Sequence, residues 1–251
     1  MTADHLLIDV GNGRTKFALA TREAILDQRD TPTPPLGDSV LRELLTDWKF
    51  KRAVCSSVVP KATEVLRLYF GDSLLELRHD LKMGIGVKYS KPETIGADRL
   101  ANAVALASLH GAPGIVIDFG TAVTFDIVDA EKSYVGGVIA PGLRLMTDYL
   151  HERTALLPQV ELAEPKSAIG KSTEQAIMAG AAIGYRGMIR GLLEALKKEL
   201  GSPKRLRVIA TGGDAAWIAS GLPEIESVDA DLTLHGLRLV ANLHAPGKRE
   251  E

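Results

Sequence analysis

The chain has 251 residues, 45% hydrophobic and 25% charged, and its 30 basic and 32 acidic side chains give a net charge of −2. This balance is typical of a globular protein and excludes a disordered chain, a collagen-like repeat and a coiled coil. The near-neutral charge gives no electrostatic sign of nucleic-acid binding. The single cysteine, Cys55, excludes an intramolecular disulfide and a cysteine metal cluster, and it fits a reducing compartment.

We expect neither a signal peptide nor a membrane span. The first residues lack a basic stretch and run directly into an apolar strand pattern. The longest stretch without a charged residue, 100–117, contains Gly111, Pro113 and Gly114. Such residues do not suit a spanning helix, so we interpret this stretch as a helix, a turn and a strand.

Three short strands are predicted first. Leu6–Asp9 is apolar and is followed by the turn residues 11–13, after which Thr15–Ala20 returns as the second strand of a hairpin. Ala24–Gln28 predicts a third strand. The proline-rich stretch Thr31–Gly37 predicts a surface loop.

Helices and strands then alternate, and leucines at helical spacing mark the first helix. The predicted elements are a helix over Ser39–Trp48, a strand over Ala53–Val59, a helix over Pro60–Phe70, a strand over Leu74–Leu77 and a helix over Ala97–Leu109.

The order restarts near residue 115. The predicted elements are strands over Ile115–Asp118, Val123–Val128 and Tyr134–Ile139, a helix from Pro141-Gly142, a long helix over Thr173–Leu200, a strand over Arg207–Ala210, a short helix to Ser220 and a final helix over Asp231–Asn242.

This restart indicates an internal repeat. The segment Asp9-Val10-Gly11-Asn12 with Thr15 aligns with Asp118-Phe119-Gly120-Thr121 with Thr124. In both copies Asp ends an apolar strand and Gly begins a hairpin. We predict an α/β fold of two similar halves, residues 1–112 and 113–251, with a cleft between them. The alternative is that two unrelated strand ends share a common Asp-x-Gly turn.

The first turn, 9–16, has features of a phosphate-binding loop. Small residues allow main-chain N–H groups to approach an anion, Arg14 and Lys16 could supply positive charge, and Asp9 could hold Mg²⁺ through water. The alternative is a polar hairpin in which Asp9 caps its own main chain.

Asp98 and Arg99 begin a helix after Gly96-Ala97. A carboxylate in a first turn is stabilised by the helix dipole, so a plain capping role is one interpretation. The other is a general base that accepts a hydroxyl proton during phosphoryl transfer, with Arg99 holding the substrate.

A stripe of four glycines, Gly180, Gly184, Gly187 and Gly191, follows one face of the long helix. Each glycine costs about 1 kcal/mol of helix stability relative to alanine. The stripe therefore predicts close packing of another backbone, either within the chain or across subunits.

Taken together, these motifs resemble type III pantothenate kinase, a family of the acetate kinase/sugar kinase/Hsp70/actin-like superfamily. The resemblance extends from Leu6 to about Val240. Besides the two Asp-x-Gly turns it rests on Tyr89, Gly96–Arg99, Gly136–Gly142 with Met146 and Leu150, Thr154-Ala155, Leu157-Pro158, Gly170, Thr173, Ala176-Ile177, Thr211–Gly213, Asp231–Leu234 and Gly236-Leu237.

The resemblance implies two ribonuclease H-like, actin-like ATPase halves and assigns roles to single residues. ATP would be bound by Asp9, Val10, Gly11, Asn12, Gly13, Arg14, Thr15, Lys16 and Thr121, with Thr211–Gly213 near the nucleoside. Pantothenate would be contacted by Tyr89, Gly96, Ala97, Asp98, Arg99 and Thr173, with Asp98 as the proton acceptor. Asp118 would bind a monovalent cation, potassium or ammonium, and Mg²⁺ would accompany ATP.

The family is cytoplasmic and typically dimeric, and it binds pantothenate near the subunit interface. Two positions depart from its pattern: Gly13 and Val123 stand where the family usually has threonine. The first change removes a hydroxyl from the phosphate loop. The second lies on a predicted strand.

The function implied is transfer of the ATP γ-phosphate to the 4′-hydroxyl of pantothenate, the first step of coenzyme A synthesis. A non-catalytic regulatory or accessory protein on the same fold is the alternative, because fold alone does not fix function. The presence of Asp9, Asp98 and Asp118 favours the enzyme. A sugar or acetate kinase would not explain the Gly-Ala-Asp-Arg helix start together with Tyr89.

Overall fold

The structure, a computed structural model, describes residues 3–245. Its strands are β1 (Ala3–Val10), β2 (Arg14–Ala20), β3 (Ile25–Pro32), β4 (Phe50–Ser57), β5 (Leu74–Glu76), β6 (Gly86–Val87), β7 (Gly114–Phe119), β8 (Ala122–Val128), β9 (Ser133–Pro141), β10 (Arg207–Thr211) and β11 (Ser227–Val228). Its α-helices are α1 (Asp38–Leu45), α2 (Pro60–Phe70), α3 (Ala97–Ala105), α4 (Leu143–Arg153), α5 (Thr173–Ala179), α6 (Tyr185–Glu199), α7 (Ala215–Ala219) and α8 (Leu232–Leu243).

Two sheets repeat one topology. The first has the strand order β3-β2-β1-β4-β5, and the second has the order β11-β10-β7-β8-β9-β6. In both, an antiparallel three-stranded meander is extended by two parallel strands beside its first strand. β7 therefore corresponds to β1. This repetition confirms the predicted α/β fold of two similar halves.

The last helix connects the two halves. Leu234, Leu237 and Val240 of α8 pack in one apolar cluster with Leu7 of β1. At Gly236 a Cβ atom would lie 2.0 Å from the main-chain oxygen of Ala101, so only glycine permits this approach of α8 to α3. The core beneath the first sheet thus depends on a helix that follows the second sheet in sequence.

Several predicted boundaries are corrected. The third strand continues to Pro32 and takes over the first two residues of the predicted loop Thr31–Gly37. The helix predicted over Ser39–Trp48 ends at Leu45. The helix predicted over Ala97–Leu109 becomes π-helical from Leu106 to His110, and the long helix over Thr173–Leu200 is interrupted by a π-helical turn, Gly180–Gly184. β6 and β11, of two residues each, were too short to be predicted.

The glycine stripe has no neighbour within the described part of the chain. A Cβ atom on Gly180, Gly184, Gly187 or Gly191 would meet no atom within 4 Å. The interpretation of the stripe as an intrachain packing face is therefore wrong. Separately, no helix in residues 3–245 has both the length and the apolar character that a membrane crossing requires.

Candidate active site

Asp9 and Asp118 occupy equivalent positions in the two halves. Asp9 lies near the end of β1 and accepts a hydrogen bond from Ser56 Oγ at 3.0 Å. Asp118 lies near the end of β7 and accepts one from Asn102 Nδ2 at 3.4 Å. The predicted repeat therefore places two carboxylates at matching strand ends.

The pKa values of these carboxylates show that they share one electrostatic environment. Burial, together with the charges of Asp98 and Asp118, raises the pKa of Asp9 to about 7. Burial and the charge of Asp98 raise the pKa of Asp118 to about 6, whereas Asn102 and Lys16 lower it. The structure thus brings together the three carboxylates that the sequence singled out.

Asp98 lies in the first turn of α3, where its carboxylate folds back over the helix start. Its Oδ1 accepts the main-chain N–H of Arg99 at 2.8 Å, and a Cβ atom on Gly96 would lie 2.5 Å from that oxygen. Burial raises the pKa of Asp98, while Arg99 lowers it. The glycine before the helix therefore leaves room for the carboxylate.

Arg99 is directed toward the second sheet. Its Nε donates to Asp126 Oδ1 at 2.6 Å and its Nη2 donates to the main-chain oxygen of Phe125 at 3.0 Å. A Cβ atom on Gly137 would lie 2.1 Å from Nη2, so this glycine makes the path of the guanidinium possible. The guanidinium carbon of Arg99 lies 5.8 Å from the centre of the Tyr134 ring.

The residues of the first hairpin point in different directions. Lys16 lowers the pKa values of both Asp9 and Asp118, and its Nζ donates to the main-chain oxygen of Ala230 at 3.5 Å. Arg14 instead forms an exposed ion pair with Asp30 on β3.

The rest of this hairpin is a mixture of buried and exposed positions. Thr15 is buried, with its hydroxyl 3.0 Å from that of Thr33. Val10 is also buried, whereas Asn12 and Gly13 are exposed at the tip, where main-chain groups can be reached by a ligand.

Two glycines of the second half allow close approaches near the strand end that carries Asp118. A Cβ atom on Gly142 would lie 2.3 Å from the main-chain oxygen of Thr121, which is exposed at the tip of the second hairpin. Gly212 has a φ of +94°, which favours glycine, and it approaches Asp118 closely. The predicted nucleoside-side turn Thr211–Gly213 therefore lies against the predicted cation ligand.

The remaining predicted substrate residues lie in two places. Tyr89 packs its ring 5.9 Å from that of Tyr134 and 3.7 Å from the Cβ position of Gly136. Gly96 and Ala97 border a groove of 830 Å³ beside Asp98. Thr173 instead lines an apolar cavity of 380 Å³ with Leu150 and Gly180, and neither Asp98 nor Arg99 lines that cavity.

Two buried polar residues of the site, Asp126 and Asn102, were missed by sequence reasoning. Asp126 interrupts the apolar residues of β8, and Asn102 lies among the alanines and leucines of α3; both are fully buried. A buried polar side chain must be paired, so a polar residue on an otherwise apolar face was the available sign.

Comparison with known proteins gives a consistent result. A family model described as type III pantothenate kinase matches residues 5–195. A protein of that name from Akkermansia muciniphila is 48% identical over 241 residues, covering 96% of this chain and 99% of the relative. Another, from Methylacidiphilum infernorum, is 41% identical over 246 residues, covering 98% of this chain and 91% of the relative.

Solved structures of lower identity share the fold. A Campylobacter jejuni protein described as belonging to the Baf family of transcriptional activators has a TM-score of 0.62 at 17% identity, covering 95% of this chain and 98% of its own. An inorganic polyphosphate/ATP-glucomannokinase from Arthrobacter has a TM-score of 0.52 at 14% identity, covering 96% and 98%. Likenesses at these identities concern the fold alone and agree with two similar α/β halves.

Proposed function

Because the chain belongs to the type III pantothenate kinase family, it is an ATP-dependent kinase that acts on pantothenate, and we propose how its residues divide that work. The γ-phosphoryl group of ATP passes to the 4′-hydroxyl of pantothenate, giving 4′-phosphopantothenate and ADP. The observation that carries the proposal is the convergence of Asp9, Asp98 and Asp118, each of which has a raised pKa.

Asp98 is the proton acceptor of this proposal. As the new bond forms between the substrate oxygen and phosphorus, the bond from phosphorus to the leaving ADP oxygen breaks, and the hydroxyl proton passes to Asp98. The pKa of Asp98 is raised toward neutral pH, and a pKa nearer the working pH suits a general base. Arg99, fixed by Asp126, stands beside it to orient the acceptor.

ATP is held between the two hairpin tips in this proposal. Main-chain N–H groups of Asn12, Gly13 and Thr121 contact phosphate oxygens, and Lys16 supplies the nearest positive charge. Arg14 has a smaller role because Asp30 already pairs with it. Mg²⁺, when bound with ATP, neutralises phosphate charge, and Asp9 is placed to hold its water shell.

Asp118 is the proposed ligand of a potassium or ammonium ion. Asp118 Oδ1 and the main-chain oxygen of Phe119 both lie close to one point beside Gly212. Such oxygen donors suit a hard cation, and the raised pKa of Asp118 shows a buried negative charge with little compensation. These residues therefore fit the cation that the family resemblance implies.

A homodimer is proposed from the glycine stripe and from Thr173. The stripe is open to solvent in the single chain. Ile183 adds exposed apolar surface within the stripe's own turn, and Tyr149 and Leu145 add more on α4, which contacts that turn. Thr173 lines a cavity beside the stripe, away from Asp98. If Asp98 and Thr173 contact the same pantothenate molecule, a second copy of the chain supplies Thr173.

The remaining proposals concern organisation and location. We divide the chain into residues 1–112 and 113–251, with α8 returning to the first half, and we place the enzyme in the cytoplasm.

The direct test is product formation by purified protein. With ATP, Mg²⁺ and potassium saturating, mass spectrometry should detect 4′-phosphopantothenate, and ADP release should depend on added pantothenate. Asp98→Asn is the matched variant, because it keeps size and shape but loses the proton-accepting carboxylate. Product from the wild type at a rate equal to that of Asp98→Asn would contradict the assignment of the base. No product at all would favour the regulatory alternative.

A further inference from the structure

Asn102 is a fully buried amide at the junction of three elements. It lies four residues after Asp98 and therefore on the same face of α3. Its side chain reaches Asp118 of β7, Asp126 of β8 and Thr233 of α8. None of the roles proposed above uses this residue.

The hydrogen bonds of Asn102 determine which way its amide faces. The two N–H bonds of Nδ2 have one acceptor each, Asp118 Oδ2 and Asp126 Oδ2, both at 3.4 Å. Its Oδ1 accepts from Thr233 Oγ1 at 2.8 Å. The opposite orientation would place the amide oxygen against two carboxylate oxygens, which is repulsive. The two carboxylates therefore select the observed orientation, and the hydroxyl of Thr233 satisfies and holds the amide oxygen on the other side.

This arrangement distinguishes the two oxygens of Asp118. Oδ2 is held by Asn102, whereas Oδ1 is the oxygen beside Gly212. An aspartate anchored through one oxygen can present the other in a fixed direction, which is what a partner of a metal ligand contributes. The oxygen that faces Gly212 and the main chain of Phe119 is also the one available to a cation.

We propose that Asn102 is a positioning residue that anchors Asp118 Oδ2 and so presents Asp118 Oδ1 to the monovalent cation. Thr233 takes part by donating to Asn102 Oδ1, which holds the amide in place against both carboxylates. Because Thr233 belongs to α8, the last helix contributes to a cation site built on the second sheet. This inference rests on the proposed role of Asp118 in cation binding.

The test compares potassium binding by the whole protein in the absence of ATP and pantothenate. The melting temperature is measured against potassium chloride, with choline chloride keeping the ionic strength constant. Three variants are used: Thr233→Val, which keeps the shape but removes the hydroxyl; Thr233→Ser, which retains the hydroxyl; and Asn102→Leu, which removes the amide. The potassium concentration for half-maximal kinase activity is measured in parallel.

Loss of a group that orients a metal ligand typically weakens metal binding about 10- to 100-fold. We expect Asn102→Leu to lose the potassium-dependent rise in melting temperature within the accessible range. Thr233 acts one step further away, so Thr233→Val should require about tenfold more potassium, the lower end of that range. Thr233→Ser should stay close to the wild type. The half-activating potassium concentration should change in the same order.

Two failures are distinguishable. A wild-type melting temperature that responds equally to potassium and choline would remove the cation role of Asp118, and this inference with it. A wild type that responds to potassium, with Thr233→Val and Thr233→Ser both equal to it, would overturn the role of Asn102 alone. If Asn102→Leu does not fold, the two Thr233 variants still decide the question.

Discussion

Gly212 and Asp118 are packed so closely that a Cβ atom on residue 212 would lie 2.5 Å from Asp118 Oδ1 and 2.6 Å from the main-chain oxygen of Phe119. The turn proposed to lie near the nucleoside and the proposed cation ligand therefore cannot move independently. Gly212 also has a φ of +94°, a conformation that other residues rarely adopt.

Gly212→Ala should disturb both the turn and Asp118. Backbone strain of this kind costs about 1–3 kcal/mol, and the steric contact adds to it, so we expect a melting temperature several degrees lower. Gly213→Ala is the matched control, because its Cβ atom would meet nothing within 4 Å. Equal melting temperatures for the two variants would show that the turn adapts without cost.

Asp98→Asn should lower kcat about 10²–10⁴-fold, as is typical when a general base is lost. The value should lie toward the lower end, because phosphoryl transfer can proceed through a loose transition state. Asparagine caps helices about as well as aspartate, so the melting temperature should change little. Calorimetric titration with ATP should show nearly normal binding. Turnover close to that of the wild type would leave Asp98 with a capping role only.

Lys16→Met should raise the KM for ATP roughly tenfold or more, since a hydrogen bond to a charged group contributes about 1.5–3 kcal/mol. Arg14→Met is the control from the same hairpin. Arg14 is exposed and paired with Asp30, and such surface pairs contribute only about 0–1 kcal/mol. Steady-state kinetics should therefore separate the two variants, and an equal effect would place Arg14 on the phosphates as well.

The stability of the protein without ATP and Mg²⁺ should fall as the pH rises from about 5 to 8. Burial raises the pKa of Asp9 from 3.8 to about 7, helped by the charges of Asp98 and Asp118 and opposed by Ser56 and Lys16. At a pH between 3.8 and about 7, Asp9 holds a proton in the folded state that it has released in the unfolded state. Protonation therefore stabilises the fold in this range, and the stabilisation is lost as the pH rises through about 7.

Melting curves across this pH range measure the slope. Asp9→Asn removes one of the titrating groups, so its melting temperature should depend less on pH than that of the wild type. A wild-type slope that Asp9→Asn reproduces would assign the effect to other groups.

Gly187→Leu should convert a dimer to a monomer. In the single chain a side chain at residue 187 meets nothing within 4 Å, and leucine favours a helix more than glycine does, so the monomer itself should not be destabilised. Lys198→Leu, an exposed position on the same helix α6, is the control. Light scattering gives the mass of each variant. Dimers of unchanged affinity in both variants would place the interface elsewhere.

The repeat could be predicted from the sequence because it is carried by local features. Each half begins with an apolar strand that ends at Asp followed by Gly, and these signs lie within a few residues of one another. The same locality explains why the sequence alone predicts that Asp9 and Asp118 form a pair.

Contacts between distant residues could not be predicted in this way. Asn102 meets Thr233, 131 residues away, and Arg99 meets Asp126, 27 residues away. Nothing in the local pattern identifies such partners. For the glycine stripe the sequence predicts that a backbone packs against the helix but not which one. The described chain provides no such partner.

The position of α8 has a consequence for biosynthesis. Leu7 of β1 packs in one cluster with Leu234, Leu237 and Val240, so β1 is synthesised long before the helix that completes its packing. Domains generally fold as units during synthesis. Here the first half has its sheet early but lacks part of its core until residues 232–243 have been translated. During that interval its apolar surface is exposed, and chaperones that recognise such surface have their longest opportunity to bind.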